Sequence, residues 1–277
     1  MIIETIFIIL SLSVLLAASF FDVKTREIPD YLSYGFVVAV LGISLLYSLY
    51  TTFNFFLLSV FGTALVFAVG YVFYRTKQMG GGDVKLFSGL GGVFANFWLG
   101  SLPLLFVFGV CVLFIGGMYT FLWGLRLYFK DFHSARKKFK EILMQRRMLR
   151  IILITISTIF ILASFLVQNV SLQILLPAFV LFLILSFYLT IFIKVIESLH
   201  FIKYIPIDEL TEGDWLAKDV RIGNKLVCSA KSHCLNKEEI EKLKKHRIYK
   251  VLIKIGIPFA PAIFLATLAT WVVYGIL

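Results

Sequence analysis

Stretches without a single charge alternate with short basic clusters along this chain. Residues 31–74, 86–125 and 151–193 contain no Asp, Glu, Lys or Arg, and each is long enough for two apolar helices of about 20 residues. A run that enters a bilayer and meets its next charge cluster only after two such lengths must go out and come back, so each run predicts a helical hairpin. The run 2–21, interrupted only by Glu4, and the run 255–277 predict one further span each. Breakers and flanking charges set the helices at about 2–21, 31–50, 53–74, 84–100, 103–126, 151–168, 172–193 and 256–276. The expectation is an all-α polytopic membrane protein of about eight transmembrane helices. The turns Thr51-Thr52, Gly100-Ser101 and Gln168 to Ser171 are too short to build a site. Function is therefore expected in the membrane or on the opposite face.

The basic residues assign that face. All 27 Lys and Arg fall into four groups: Lys24 with Arg26; Arg75, Lys77 and Lys85; nine between Arg126 and Arg150; and thirteen between Lys194 and Lys254. Cytoplasmic loops collect Lys and Arg, which puts all four groups inside and both termini outside. A hydrophobic content of 60% and a mean hydropathy of +0.93 exclude a soluble globular domain. The net charge of +11 then reads as positive-inside bias and attraction to anionic headgroups, so the lipid bilayer is an expected partner and nucleic acid is not. The first run has no basic segment before it and no small-residue cleavage site after it, which favours a retained helix over a signal peptide. Cys111, Cys228 and Cys234 form no C-x-x-C pair. With only His233 beside Cys234, neither a disulfide framework nor a metal site is expected.

This pattern divides the chain into a transmembrane core over 1–127, a connector over 128–150, a hairpin over 151–194, a module over 195–254 and a last helix over 255–277. The connector interleaves Phe132, Phe139, Ile142 and Leu143 with Lys and Arg, as a helix in the headgroup layer does. Within the module, residues 203–253 read as a small cytoplasmic α+β unit. An acidic, turn-rich stretch from Pro206 to Asp219 precedes an apolar run from Val220 to Cys228. Asn236 stands three residues before Glu239, a capping box opening a helix through Lys245, and Ile248 to Ile253 reads as a strand.

Few ionisable residues sit where a helix meets the membrane. Asp22 ends the first span, and Asp83 follows Gly80, Gly81 and Gly82 at the start of the fourth. A carboxylate at membrane depth is costly, so it is commonly paired, turned inward and functional. Each aspartate also has a plainer explanation: Asp22 as an interfacial residue reaching water, and Asp83 as the N-cap of a helix beginning at Val84. The glycines permit irregular backbone and close approach, which a membrane protein tolerates only where protein or a watery cavity surrounds it. Both aspartates fall on the cytoplasmic side, so helices one and four have the means to bring them together. Two adjacent carboxylates cannot both ionise easily, and one then keeps a proton while the other acts as base.

These residues resemble a known family. The stretch from Phe21 to Asp30, Phe-Asp-Val-Lys-Thr-Arg-Glu-Ile-Pro-Asp, is similar to the D-x-x-x-x-x-I-P segment of archaeal preflagellin and prepilin peptidases, and Gly80-Gly81-Gly82-Asp83 matches their G-x-G-D signature. Ile257-Pro258-Phe259-Ala260-Pro261 is similar to the I-P-F-G-P start of a late helix in bacterial prepilin peptidases, with Ala260 in the place of Gly. The resemblance implies an aspartic endopeptidase that removes the short basic leader from archaellin or type IV pilin-like precursors at the cytoplasmic face. Asp22 and Asp83 would be its catalytic residues, and no metal or organic cofactor is implied. Gly80, Gly81 and Gly82 would admit the substrate backbone, while Glu27 and Asp30, with Asp208, Glu209, Glu212 and Asp214, would attract the basic leader. The cysteine quartet that accompanies N-methylation in bacterial relatives is missing, which implies peptidase without methyltransferase activity. Length beyond residue 150 exceeds the compact archaeal members and leaves the choice between archaellin and pilin open. A proton- or cation-coupled transporter, a presenilin-like intramembrane protease and a filament-assembly scaffold are the rival readings.

Overall fold

The computed structural model describes residues 2–211, 213–222, 225–229, 235–246 and 248–276. The chain is a polytopic helical membrane protein carrying a small strand-containing module. Six helices are long and apolar enough to cross a membrane: Ile2–Thr25, Asp30–Ser48, Phe53–Arg75, Leu104–Lys130, Arg147–Leu166 and Val170–Phe201. The remaining two predicted spans form shorter helices. These eight segments carry α1 (Ile2–Thr25), α2 (Asp30–Ser48), α3 (Phe53–Arg75), α4 (Gly81–Phe94), α5 (Leu104–Cys111) running through a π-turn into α6 (Gly117–Lys130), α8 (Arg147–Leu166), α9 (Val170–Ile196) and α11 (Ala260–Ile276). Between α6 and α8 lies α7 (Phe132–Gln145), and α10 (Lys237–Lys245) belongs to the module.

The chain divides into two compact units, one of residues 1–123 with 204–277 and one of residues 124–203. In the first, α4 is the central element. From Leu86 to Phe94 every residue is buried, and α4 packs on α1, α2, α3 and α5. At 14 residues it is about 21 Å long, short of a hydrocarbon core. Glycine allows that enclosure. A Cβ at Gly91 would lie 2.4 Å from the Gly62 carbonyl oxygen, one at Gly89 2.4 Å from the Phe36 ring, and one at Gly92 2.5 Å from Thr63 Oγ1. The helices therefore approach more closely than any side chain permits.

The predicted span 84–100 is corrected at both ends. The helix starts at Gly81, with Gly80 as its N-cap, so Asp83 lies inside the first turn and is not the cap. It stops at Phe94, because Trp98–Leu99 (β1) and Leu102–Pro103 (β2) pair antiparallel around Gly100, whose φ of +59° reverses the chain.

The first helix runs past its predicted end at 21. It closes at Thr25 because Arg26 adopts a left-handed φ of +63° and donates its N–H to the Asp22 carbonyl at 3.0 Å. Asp22 thereby occupies the last turn of α1. At the other end of this unit, Trp271 Nε1 donates to Ser11 Oγ at 3.2 Å and the Tyr274 hydroxyl lies 3.3 Å from Glu4 Oε1, pinning α11 along α1.

The module is α+β, as its sequence predicts. Ile202–Pro206 (β3), Trp215–Leu216 (β4) and Lys250–Lys254 (β7) form a sheet in the order β3-β7-β4, and Val220–Ile222 (β5) pairs with Lys225–Cys228 (β6). Its core joins Ile207, Leu216, Leu235, Leu243, Val251 and Ile253. The capping box forms as expected: Asn236 Oδ1 accepts the Glu239 N–H at 2.8 Å, and Glu239 Oε2 accepts the Asn236 N–H at 3.2 Å.

In the second unit, α7 lies within the stretch expected to form the connector. Ala135 and Ile142 on its apolar side are buried against Ile191 and Val195 of α9.

Candidate active site

Asp22 and Asp83 come together. Asp22 is 7% exposed, at the inner face of the last turn of α1. Asp83 stands in the first turn of α4, ahead of its apolar stretch, with Oδ1 sealed from the surface and without a hydrogen-bond partner among the described residues. The charge of Asp22 acts on the Asp83 carboxyl, which burial has largely withdrawn from water. The two acidic groups thus lie within electrostatic reach of each other. Carboxyls in such reach titrate as a pair.

The two sequence motifs touch directly. A Cβ at Gly82 would meet Ile28 Cβ at 3.0 Å, so the isoleucine that follows Asp22 in the first motif fills the space left by the glycine of the second. Gly81 faces Tyr74 at ordinary contact distance, and a Cβ at Gly80 would stand 3.2 Å from Asp83 Oδ2. Packing between α4 and the α1–α2 connection accounts for Gly82, and closeness to the carboxylate for Gly80.

Other acidic candidates lie further out. Asp30 is exposed and forms an ion pair with Lys85, whose ammonium also sits 4.0 Å from the centre of the Tyr34 ring. Glu27 is exposed and within electrostatic reach of Asp214. In the module, Asp208 lies 3.9 Å from Lys244, and Asp214 Oδ2 accepts the Thr211 N–H at 2.9 Å. Glu212, His233 and Cys234 lie outside the described residues.

Sequence reasoning missed what surrounds Asp22. The Ala260 N–H donates to Asp22 Oδ2 at 2.9 Å, with the Phe259 amide close by. Arg26 donates from Nη1 to the Gly256 carbonyl at 2.7 Å, and its guanidinium stands 5.9 Å from the centre of the Trp123 ring. Tyr119 on α6 lies within electrostatic reach of both Asp22 and Arg26. Phe259 itself lies against Gly116, where a Cβ would meet the ring at 2.9 Å, in the π-turn Val112–Gly116 that interrupts the long fifth span. The Ile257-to-Pro261 motif carried the signal, but a backbone donor leaves no side-chain signature.

Among the described residues no group of His, Cys, Asp and Glu has the arrangement of a metal site. What the carboxylates can do by themselves is activate water: one oxygen takes a proton from it while the other group donates a hydrogen bond to a carbonyl.

Residues 9–122, which include both aspartates, match the type IV leader peptidase family. The match covers 114 of the 277 residues, and over that stretch the chain is similar to a family of leader peptidases. No curated protein and no solved structure matches the chain.

Proposed function

We propose that this protein is an aspartic endopeptidase that removes the short basic leader from archaellin or type IV pilin-like precursors at the cytoplasmic membrane face. The observation that carries the reading is the electrostatic contact of Asp22 and Asp83, delivered from α1 and α4 into a largely buried site. A transporter would need its ionisable groups along a path through the bundle. Here they meet where α1 ends and α4 begins.

The reaction follows from a dyad holding one proton. The ionised aspartate withdraws a proton from water as its oxygen attacks the scissile carbonyl carbon, and the protonated aspartate gives its proton to the carbonyl oxygen. The resulting tetrahedral diol collapses as the first aspartate hands its proton to the leaving nitrogen. The second recovers a proton from the diol hydroxyl, which regenerates the carbonyl as a carboxyl group and restores the dyad. No metal or organic cofactor enters these steps.

The test is leader removal from an archaellin or pilin precursor in detergent or membranes, at equal folded protein level. Asp22→Asn and Asp83→Asn are each expected to slow cleavage about a thousandfold or more. Asp30→Asn, which breaks only an exposed ion pair, is expected to stay within a few-fold of wild type. Full activity of either dyad variant would remove that aspartate from the chemistry.

A further inference from the structure

The first turn of an α-helix has N–H groups without partners inside the helix, and its dipole adds positive charge there. In α11 these donors are reduced to two. Pro258 and Pro261 have no N–H to give. The amides of Ala262 and Ile263 turn back to the Phe259 carbonyl at 2.9 and 3.2 Å. The amides of Phe259 and Ala260 remain, and that of Ala260 donates to the Asp22 carboxylate with the Phe259 amide close by. Arg26 adds its cation to the same side and ties the approach to α11 through the Gly256 carbonyl.

Asp83 is less well served, with only the Gly80 amide, among the described residues, close to its carboxyl. Its Oδ1 is buried with no donor among the described residues, and a carboxylate left in that state carries an uncompensated charge. The start of α4 offers it a dipole, and a neutral carboxyl is the cheaper occupant of a site that gives Oδ1 no donor.

We infer that the Ala260 N–H is a positioning group that fixes the division of labour: Asp22 is the ionised member that deprotonates water, and Asp83 is the protonated member that polarises the carbonyl. This rests on the dyad reading given under Proposed function. Among the described residues, the titratable and charged groups facing Asp22 are Arg26 from its own helix end, Asp83 from α4 and Tyr119 from α6. Residues 255–263, where α11 begins, contain no charged side chain.

The inference is tested by replacing the Ala260 residue with lactic acid in the full-length protein. This exchanges the N–H for an ester oxygen and keeps the methyl group. Ala260→Gly, which keeps the N–H, is the control. The readout is the pH profile of kcat/KM for precursor cleavage. With Asp22 as base, the acid limb of the ester variant moves to higher pH by about one to two units, the worth of a hydrogen bond to a charged group. The alkaline limb stays in place, and Ala260→Gly keeps both limbs. A lower rate with both limbs unmoved would reduce the Ala260 amide to a purely structural contact and overturn the inference. Movement of the alkaline limb alone would reverse the two roles and overturn it as well. If the ester protein does not fold, Ala260→Pro removes the same N–H at a first helical position that accepts proline, and the same limbs decide. Failure of the dyad reading would appear elsewhere, as retained cleavage in Asp22→Asn.

Discussion

Replacing Gly91 by Ala tests whether the glycine seam of α4 places the Asp83 carboxyl. The new Cβ would lie 2.4 Å from the Gly62 carbonyl oxygen and 2.7 Å from Val66 Cγ2, whereas ordinary contact begins at 3.4 Å. Backbone cannot swing aside as a side chain does, so α4 must retreat from α3 by about 1 Å, the difference between 2.4 and 3.4 Å. Overpacking of this size costs about 1–3 kcal/mol. In a protein of this length each kcal/mol lowers the unfolding midpoint by about 2–4 °C. A helix moves as a rigid body, and Asp83 lies two turns along α4. A displacement near 1 Å of a catalytic group costs about a hundredfold in rate. Gly91→Ala is therefore expected to lower the thermal midpoint in detergent by several degrees and to slow leader cleavage by ten- to a hundredfold, an order-of-magnitude range. Gly42→Ala on α2 is the control: nothing lies within 4 Å of its new methyl, and alanine is favoured over glycine in a helix by about 1 kcal/mol. If Gly91→Ala had the midpoint and rate of wild type, close approach would not be what holds α4, and the reasoning would fail.

Two further outcomes follow from the site and the module. Because two carboxyls within electrostatic reach cannot both ionise easily, the pair holds a single proton over a limited pH range, and cleavage by the wild type is expected to fall at both low and high pH. A rate that stays flat to pH 9 would show that protonated Asp83 is not needed. Asn236→Ala removes the capping box of α10 at a cost of about 1 kcal/mol, seen as faster amide exchange across residues 237–245 with the spans unchanged. Unaltered exchange there would mean that the cap does not hold α10.

Much of the architecture is legible because membrane insertion imposes a one-dimensional rule. The charge-free runs and the four basic groups mark the spans to within a few residues, and Asn236 with Glu239 marks the start of α10 correctly. The rule fails where helices are held by protein and not by lipid. For α4, apolar length predicts 84–100, yet the glycines draw the helix start back to Gly81 and Gly100 turns the chain beyond it. The two aspartates are legible because a carboxylate at the membrane edge is unusual. Their surroundings are not: Ile28 against Gly82 and Tyr119 near Asp22 are apolar or aromatic residues in an apolar, aromatic-rich chain, and nothing in their spacing sets them apart. The acidic residues of the module attract attention by charge, but Asp208 and Asp214 have partners within their own fold.

The hydrogen bond from Ala260 to Asp22 joins residues 238 positions apart. Contacts so distant in sequence form late, since the intervening chain must be ordered first. During synthesis, the carboxylate of α1 waits for the start of α11, with all the chain between them made before its donor emerges. A site built this way is not assembled while that chain is still being made.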